Sequence, residues 1–229
     1  MEVERPDRVA DDGWWQFGLA TVAPLFRAAI RLRLEGVDLI PASGPAILAA
    51  NHVSPLDPIA VALAASRRGR TIRYLTAVEA FAIPVIGWGL RRFRQIPIRR
   101  GARDRAAVED VARVIRGGAL AGIFPEGRLG PGKLQPARSG MARLALASGA
   151  PVVPLGVWGM QRRWSRQGIR WTEGPVRPIG AVVIGTPIQP EGDLSDGVAV
   201  RSLTERVMSD IATLVDQAKV LAGDRASQS

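Results

Sequence analysis

His52 is the only histidine in a chain of 229 residues, and Asp57 follows it five positions later. An imidazole backed by a carboxylate can take a proton from a hydroxyl near neutral pH. The carboxylate fixes the tautomer and stabilises the imidazolium that forms. The two residues lie in Asn51-His52-Val53-Ser54-Pro55-Leu56-Asp57. No cysteine is present, which excludes an acyl-cysteine intermediate, a disulfide framework and a thiolate metal site. One histidine and no cysteine also argue against a transition-metal centre.

The flanking residues predict how this pair is held. Residues 45–50, Pro-Ala-Ile-Leu-Ala-Ala, read as a short buried strand. Ser54 is suited to N-cap a following helix, with Pro55 at its first position and Asp57 at its third. A helix N-terminus favours negative charge, so Asp57 is expected to stay ionised. Read alone, Ser54-x-x-Asp57 is equally a capping box with no further role.

A second chemical segment is Ile123-Phe124-Pro125-Glu126-Gly127-Arg128. The apolar run 119–124 predicts a strand, which Pro125 and Gly127 end. Glu126 and Arg128 are then presented at its C-terminal edge, where open α/β sheets bind ligands. Arg138, Ser139 and Gly140 close the following loop, and residues 141–147 read as a helix.

Taken together, these segments resemble the glycerolipid acyltransferases, in particular the 1-acylglycerol-3-phosphate acyltransferases. Asn51 to Asp57 is similar to the N-H-x-x-x-x-D block, Ile96-Pro97-Ile98-Arg99-Arg100-Gly101 to the second, Phe124 to Arg128 to F-P-E-G, and Val152-Val153-Pro154-Leu155-Gly156-Val157 to the fourth. The segment 79–88 is similar to the family's link between the first two blocks. The likeness runs from about Gly36 to Leu221. It departs where Arg128 directly follows Gly127, since the family commonly continues Thr-Arg-Ser, and where Arg99 occupies an often acidic position.

The resemblance implies an α/β fold, a mixed sheet flanked by helices, with an N-terminal helical membrane-contact region. It implies His52 as the base, with Asp57 behind it, moving an acyl group from a thioester to the hydroxyl of 1-acylglycerol 3-phosphate to give phosphatidic acid. Arg100, Glu126, Gly127, Arg128 and Arg138 are the implied acceptor-binding residues, Glu126 either touching the glycerol or bracing the site. The donor would be acyl-coenzyme A or an acyl carrier protein, with no permanently bound cofactor. Another lysolipid or a glycolipid remains open as acceptor. From the residues alone, a hydrolase using His52 to activate water also stays open, as does a non-enzymatic basic protein binding membrane or nucleic acid.

The elements around these blocks read as alternating helices and strands in one domain. Strands are predicted at 71–77 and 181–185 and a helix at 104–116. A long helix at 195–222 has Leu203, Val207, Ile211, Leu214, Ala218 and Leu221 on one face. The domain is expected over 35–223, with a disordered tail at 1–12, a helical membrane-contact region at 13–34 and a frayed end at 224–229.

The net charge is +10, carried almost wholly by arginine, since only Lys133 and Lys219 are lysines. The densest cluster is Arg91, Arg92, Arg94, Arg99, Arg100, Arg103 and Arg105. Guanidinium recognises phosphate bidentately, so the cluster suits a phospholipid headgroup, an anionic membrane, coenzyme A or an acidic carrier, or is a solvated face. Aromatics make up only 5%, with a single tyrosine, too few for base-stacking platforms. No nucleic-acid partner is therefore expected.

The N-terminus is polar and has no signal-peptide pattern. Residues 13–26 are uncharged but too short to span a bilayer. Trp14, Trp15 and Phe17 are placed like interfacial anchors, with Arg27, Arg31 and Arg33 on a basic amphipathic continuation. The apolar stretch 80–90 reads equally as a membrane contact or a core helix, and residues 161–178 form a basic excursion of open role. The expected location is peripheral, on the cytoplasmic face of the cell membrane.

Overall fold

The computed structural model describes residues 8–99, 105–170 and 175–224. Its strands are β1 (Arg31–Glu35), β2 (Ala46–Ala50), β3 (Arg73–Ala77), β4 (Ile96–Ile98), β5 (Leu120–Ile123), β6 (Val152–Trp158), β7 (Trp164–Ser165), β8 (Gly168–Ile169) and β9 (Ile179–Ile184). Its helices are α1 (Gly13–Ala29), α2 (Asp57–Ser66), α3 (Pro84–Arg92), α4 (Arg105–Arg116), α5 (Gly140–Ser148) and α6 (Gly197–Leu221). Seven strands form one sheet in the order β1-β9-β6-β2-β5-β3-β4, and β7 and β8 make a separate hairpin. Every neighbouring pair in the large sheet is parallel except β6 with β9. This is the expected mixed sheet flanked by helices.

β2 lies at the centre, between β5 and β6, and all five of its residues are buried. A parallel strand covered on both faces reads as a continuous apolar run rather than an alternating one. Its side chains still alternate: Ala46, Leu48 and Ala50 pack with α1 and α2, while Ile47 and Ala49 pack with α4, α5 and α6. α6 buries Val200, Leu203, Val207, Ile211, Leu214, Val215 and Ala218, the face that its periodicity predicts. Its first turn is capped by Asp196, whose carboxylate accepts from Val198 N at 2.7 Å.

Several boundaries differ from expectation. α2 begins at Asp57 with Leu56 as its cap, two residues after the predicted cap at Ser54. Ser54 to Leu56 form a turn instead, because the Asp57 carboxylate reaches back to the amides of Val53 and Ser54. The expected helical continuation through Arg31 and Arg33 is the edge strand β1, whose residues alternate outward and inward. Arg31-Leu32-Arg33-Leu34 has the period of a strand, not of a helix. Within the expected disordered tail, Val9–Asp11 form a 3-10 turn, and Val9 N donates to Gly69 O at 2.9 Å. Asp224, at the expected frayed end, accepts from Trp158 Nε1 at 2.6 Å and pairs with Arg162.

The N-terminal region makes its own surface. Asp12 caps α1 by accepting from Trp14 N at 3.0 Å and Trp15 N at 3.2 Å. Trp15, expected as an anchor, is only 7% exposed and packs edge-on against Phe93. It falls on the inward face of α1 with Phe26, while Trp14, Phe17 and Leu25 point outward. The stretch 80–90 divides at Pro84 into a 3-10 turn (Val78–Ala82) and α3. Val85 is 80% exposed, and Ile83, Ile86 and Trp88 are exposed beside it, so these side chains are not core. Trp14 and Trp88 meet edge-to-face at 5.4 Å, and the Arg92 guanidinium lies over both rings. Among the described residues no helix is long and apolar enough to cross a membrane.

α6 approaches the sheet closely at Gly156. A Cβ there would collide with the main chain of Leu214 and Val215. Gly156→Ala is expected to push α6 off β6 and cost about 1–3 kcal/mol of stability. Urea unfolding would read this as a lower midpoint with an unchanged slope; an unmoved midpoint would contradict the packing.

Candidate active site

The parallel strands bring their carboxyl ends to one edge of the sheet. β2 ends at Ala50 and delivers Asn51 and His52; its neighbour β5 ends at Ile123 and delivers Phe124 and Glu126. Two blocks separated by some 70 residues in sequence become adjacent only through this pairing. Farther along, β4 ends at Ile98 and leaves Arg99 exposed.

His52 Nδ1 lies 3.1 Å from Asp57 Oδ2. That nitrogen faces the carboxylate, which leaves Nε2 for a reacting hydroxyl. Asp57 Oδ2 also accepts from Val53 N at 2.6 Å and Ser54 N at 2.7 Å. One oxygen thus shapes the turn and orients the ring. Oδ1 is buried without a hydrogen-bond partner among the described residues. Complete burial pushes the Asp57 carboxyl above its ordinary 3.8, against the opposing pull of His52 and of the Ser54 and Val53 amides. The expected influence of the helix terminus is outweighed by desolvation.

The main chain of His52 is gripped from both sides. His52 N donates to Glu126 Oε1 at 2.8 Å, and His52 O accepts from Gly130 N at 2.7 Å. The second oxygen of Glu126 accepts from Gln135 N at 3.0 Å. Glu126 is buried and both its oxygens are engaged with amides, those of His52 and Gln135. Burial pushes its carboxyl up as well, partly offset by the His52 and Gln135 amides. Before the histidine, Asn51 Nδ2 donates to Val157 O at 2.9 Å and Asn51 Oδ1 accepts from Val157 N at 2.7 Å. That pair ties the end of β2 to β6.

Aromatic stacking holds the ring. Phe124 lies against His52 with centroids 4.1 Å apart and planes at 21°. Tyr74 is parallel to Phe124 at 5.9 Å, and its hydroxyl donates to Pro58 O at 2.6 Å. Burial, then the Asp57 charge, pushes the Tyr74 phenol well above 10.0, so it stays neutral. Phe124 and Asn51 stand inside the sequence blocks without an expected role of their own. Tyr74, Gly130 and Gln135 carry no sequence signal that ties them to His52.

Gly127 adopts a left-handed φ of 67° in the turn after β5, and a Cβ there would lie 3.2 Å from Arg138 Cδ. The Arg138 side chain therefore lies over Gly127, while Arg138 N donates to Pro125 O at 2.9 Å. Arg128 and Arg138 are both exposed and close to the Glu126 brace in the chain. Arg100 and Gly101 lie outside the described residues. Ser54 Oγ donates to Trp164 O at 2.5 Å and accepts from Leu56 N at 3.1 Å. Its proton is committed to a carbonyl rather than aimed at His52.

The family model described as Acyltransferase matches residues 31–158, which contain every element that builds this site. The chain belongs to this acyltransferase family. It is similar to an uncharacterized protein of Mycobacterium tuberculosis, 33% identical over 162 residues, covering 63% of this chain and 43% of that protein. It is also similar to the chloroplastic 1-acyl-sn-glycerol-3-phosphate acyltransferase BAT2 of Brassica napus, 32% identical over 131 residues, covering 55% of this chain and 37% of that one. The chain thus spans less than half the length of these relatives. The crystal structure of the 1-acyl-sn-glycerophosphate (LPA) acyltransferase PlsC from Thermotoga maritima matches with a TM-score of 0.67 at 24% identity, covering 93% of this chain and 79% of that one. That likeness establishes the shared fold.

The buried Asp57 has a consequence for stability. A carboxyl whose pKa is raised by folding holds its proton more readily in the folded chain. Its contribution to stability is present below the ordinary value and is lost as pH rises through the raised one. Asp57→Asn keeps an acceptor for the Val53 and Ser54 amides and removes the charge. In urea unfolding from about pH 4 to about pH 8, the variant is expected to gain on the parent as pH rises. A stability difference that stayed constant, or moved toward the parent, would show that desolvation does not dominate at Asp57.

Proposed function

We propose that this chain transfers a fatty acyl group from a thioester to the free hydroxyl of a lysophospholipid, with 1-acylglycerol 3-phosphate as acceptor and phosphatidic acid as product. The observation that carries the reading is the His52–Asp57 pair at the carboxyl edge of the sheet, Nδ1 on the carboxylate and Nε2 left over. The name of the Brassica napus relative supports the choice of acceptor.

In this mechanism Nε2 takes the proton of the acceptor hydroxyl as its oxygen attacks the thioester carbonyl carbon. Asp57 stabilises the imidazolium. The tetrahedral intermediate collapses, the carbon–sulfur bond breaks, and the leaving thiolate recovers the proton from Nε2. No acyl-enzyme is formed. Arg100, Arg128 and Arg138 hold the acceptor phosphate. Glu126 acts by fixing the His52 main chain. The donor is acyl-coenzyme A or an acyl carrier protein.

A lipid acceptor also explains the outward face of α1 and α3. Tryptophan and phenylalanine favour the headgroup boundary, and each nearby basic residue adds about 1 kcal/mol of attraction to an anionic surface. The chain is placed peripherally on the cytoplasmic face, where thioester donors are available.

Purified protein supplied with lysophospholipid and glycolipid acceptors and both donor types is expected to form phosphatidic acid, read by mass spectrometry. His52→Ala should lower kcat roughly 10²–10⁴-fold, the usual worth of a general base. Free fatty acid released without acceptor would replace transfer by hydrolysis, and near-normal turnover in folded His52→Ala would remove the base.

The membrane placement has a separate readout. The protein is expected to sediment with vesicles containing anionic phospholipid, less so at high salt as exposed charges are screened. Replacing Trp14 and Phe17 with serine should weaken sedimentation, while Trp15→Ser should instead lower thermal stability, because Trp15 is buried. Failure of the parent to bind any vesicle would reject the placement.

A further inference from the structure

The excursion between β6 and β9 is the part of the chain that the proposed chemistry does not use. It begins with a 3-10 turn (Met160–Arg162) and continues into the β7–β8 hairpin. A buried arginine sustains it: the Arg163 guanidinium donates to Arg170 O at 2.9 Å and also to Val176 O. The hairpin is thus pinned from beneath by main-chain carbonyls rather than by an apolar core of its own. Beside exposed Arg166 and Gln167 it turns apolar side chains outward. Trp164 and Ile169 are directly opposite in the antiparallel register, so their side chains share a face. Trp164 is 38% exposed and Ile169 49%, and Val176 is more exposed still.

Two contacts locate this face. Ser54 Oγ donates to Trp164 O, which joins the hairpin to the turn that carries His52. At the other side, the Arg177 guanidinium donates to Arg27 O, in the last turn of α1. The outward stripe of α1 runs from Trp14 through Phe17 to Leu25, two residues before that contact. Exposed apolar side chains thus occur on α3, on α1, at Val176 and on the hairpin, and the Arg177–Arg27 contact ties the Val176 segment to the end of α1. Exposed Arg166 and Arg177 flank the last of these.

We infer that the β7–β8 hairpin is a third lipid-contact element, seating Trp164 and Ile169 in the headgroup layer of an anionic bilayer. This rests on the peripheral-membrane reading and extends it from the N-terminal region to the mouth of the site. Tryptophan next to arginine is the composition that favours such a surface. With α1 and α3 on one side and the hairpin on the other, the His52 turn lies at the bilayer itself. A lysolipid would then present its hydroxyl to Nε2 with its tail still in the membrane.

The chain has no cysteine, so single thiols can be placed at will. Phe17→Cys, Ile169→Cys and Val198→Cys are each labelled with a nitroxide. Val198 is an exposed control on α6, across the sheet from α1. Accessibility to oxygen and to a water-soluble nickel chelate is compared with and without vesicles of phosphatidylglycerol and phosphatidylcholine. The expected result is that labels at 17 and 169 gain oxygen and lose nickel accessibility on adding vesicles, while 198 does not change. Insertion at 17 without insertion at 169 would overturn the hairpin assignment and leave the membrane reading intact. Insertion at neither would overturn both. A label at 169 already immobilised without lipid would make the hairpin a protein–protein contact and overturn the assignment.

Discussion

One carboxylate oxygen, Asp57 Oδ2, holds the centre of this protein together. It accepts from the ring of His52 and from the amides of Val53 and Ser54, all within 3.1 Å. Those three bonds fix the turn between β2 and α2, the start of α2 and the tautomer of the imidazole at once. They are made in a fully buried position, where desolvation raises the cost of the charge. The oxygen that shapes the turn is therefore also the one that makes the site sensitive to protonation. Its partner Oδ1, buried and without a donor among the described residues, adds to the same cost.

Around that oxygen, the fold restrains the histidine in layers. Main-chain groups are held by Asn51 against β6 and by Glu126 and Gly130 from the loop after β5. The ring is held by Phe124, which in turn lies against Tyr74. The restraints come from β6, from the segment after β5 and, through Tyr74, from β3, and the parallel sheet is what brings them to one edge. For the reaction proposed above, preorganisation of this kind reduces the motion that His52 must lose on reaching the acceptor hydroxyl. Within one motif, Glu126 is buried against the main chain of His52, while Arg128 and Arg138 remain exposed.

The two faces of the sheet are treated differently. α4, α5 and α6 cover one with amphipathic helices, and α6 approaches closely enough to require glycine at position 156. α1 and α2 cover the other, but α1 keeps a second apolar stripe on its outer side, joined to α3 by Trp14 and Trp88. An exposed stripe rimmed by arginine is costly in water and favourable against an anionic lipid surface. The proposed lipid acceptor gives the uncovered stripe and the carboxyl-edge site a common purpose.

By itself the sequence was enough to specify the closeness of His52 and Asp57, the sheet class, the strands at β2, β3, β5 and β9 and the buried face of α6. His52 and Asp57 are close in the chain, and helix and strand periods are local properties that survive without a fold. The order of the four blocks carried the family. Tertiary structure alone decided which of two equivalent-looking aromatics, Trp14 or Trp15, faces outward, because one position along a helix rotates a side chain by about 100°. It decided that residues 31–35 are an edge strand, since β1 forms by pairing with the distant β9. It turned Glu126 from a charged turn residue into the brace of His52, and it made Phe124 and Tyr74 a stack, because those contacts cross between strands. Side chains that meet across strands far apart in sequence leave no spacing to read; only the register of the sheet brings them together.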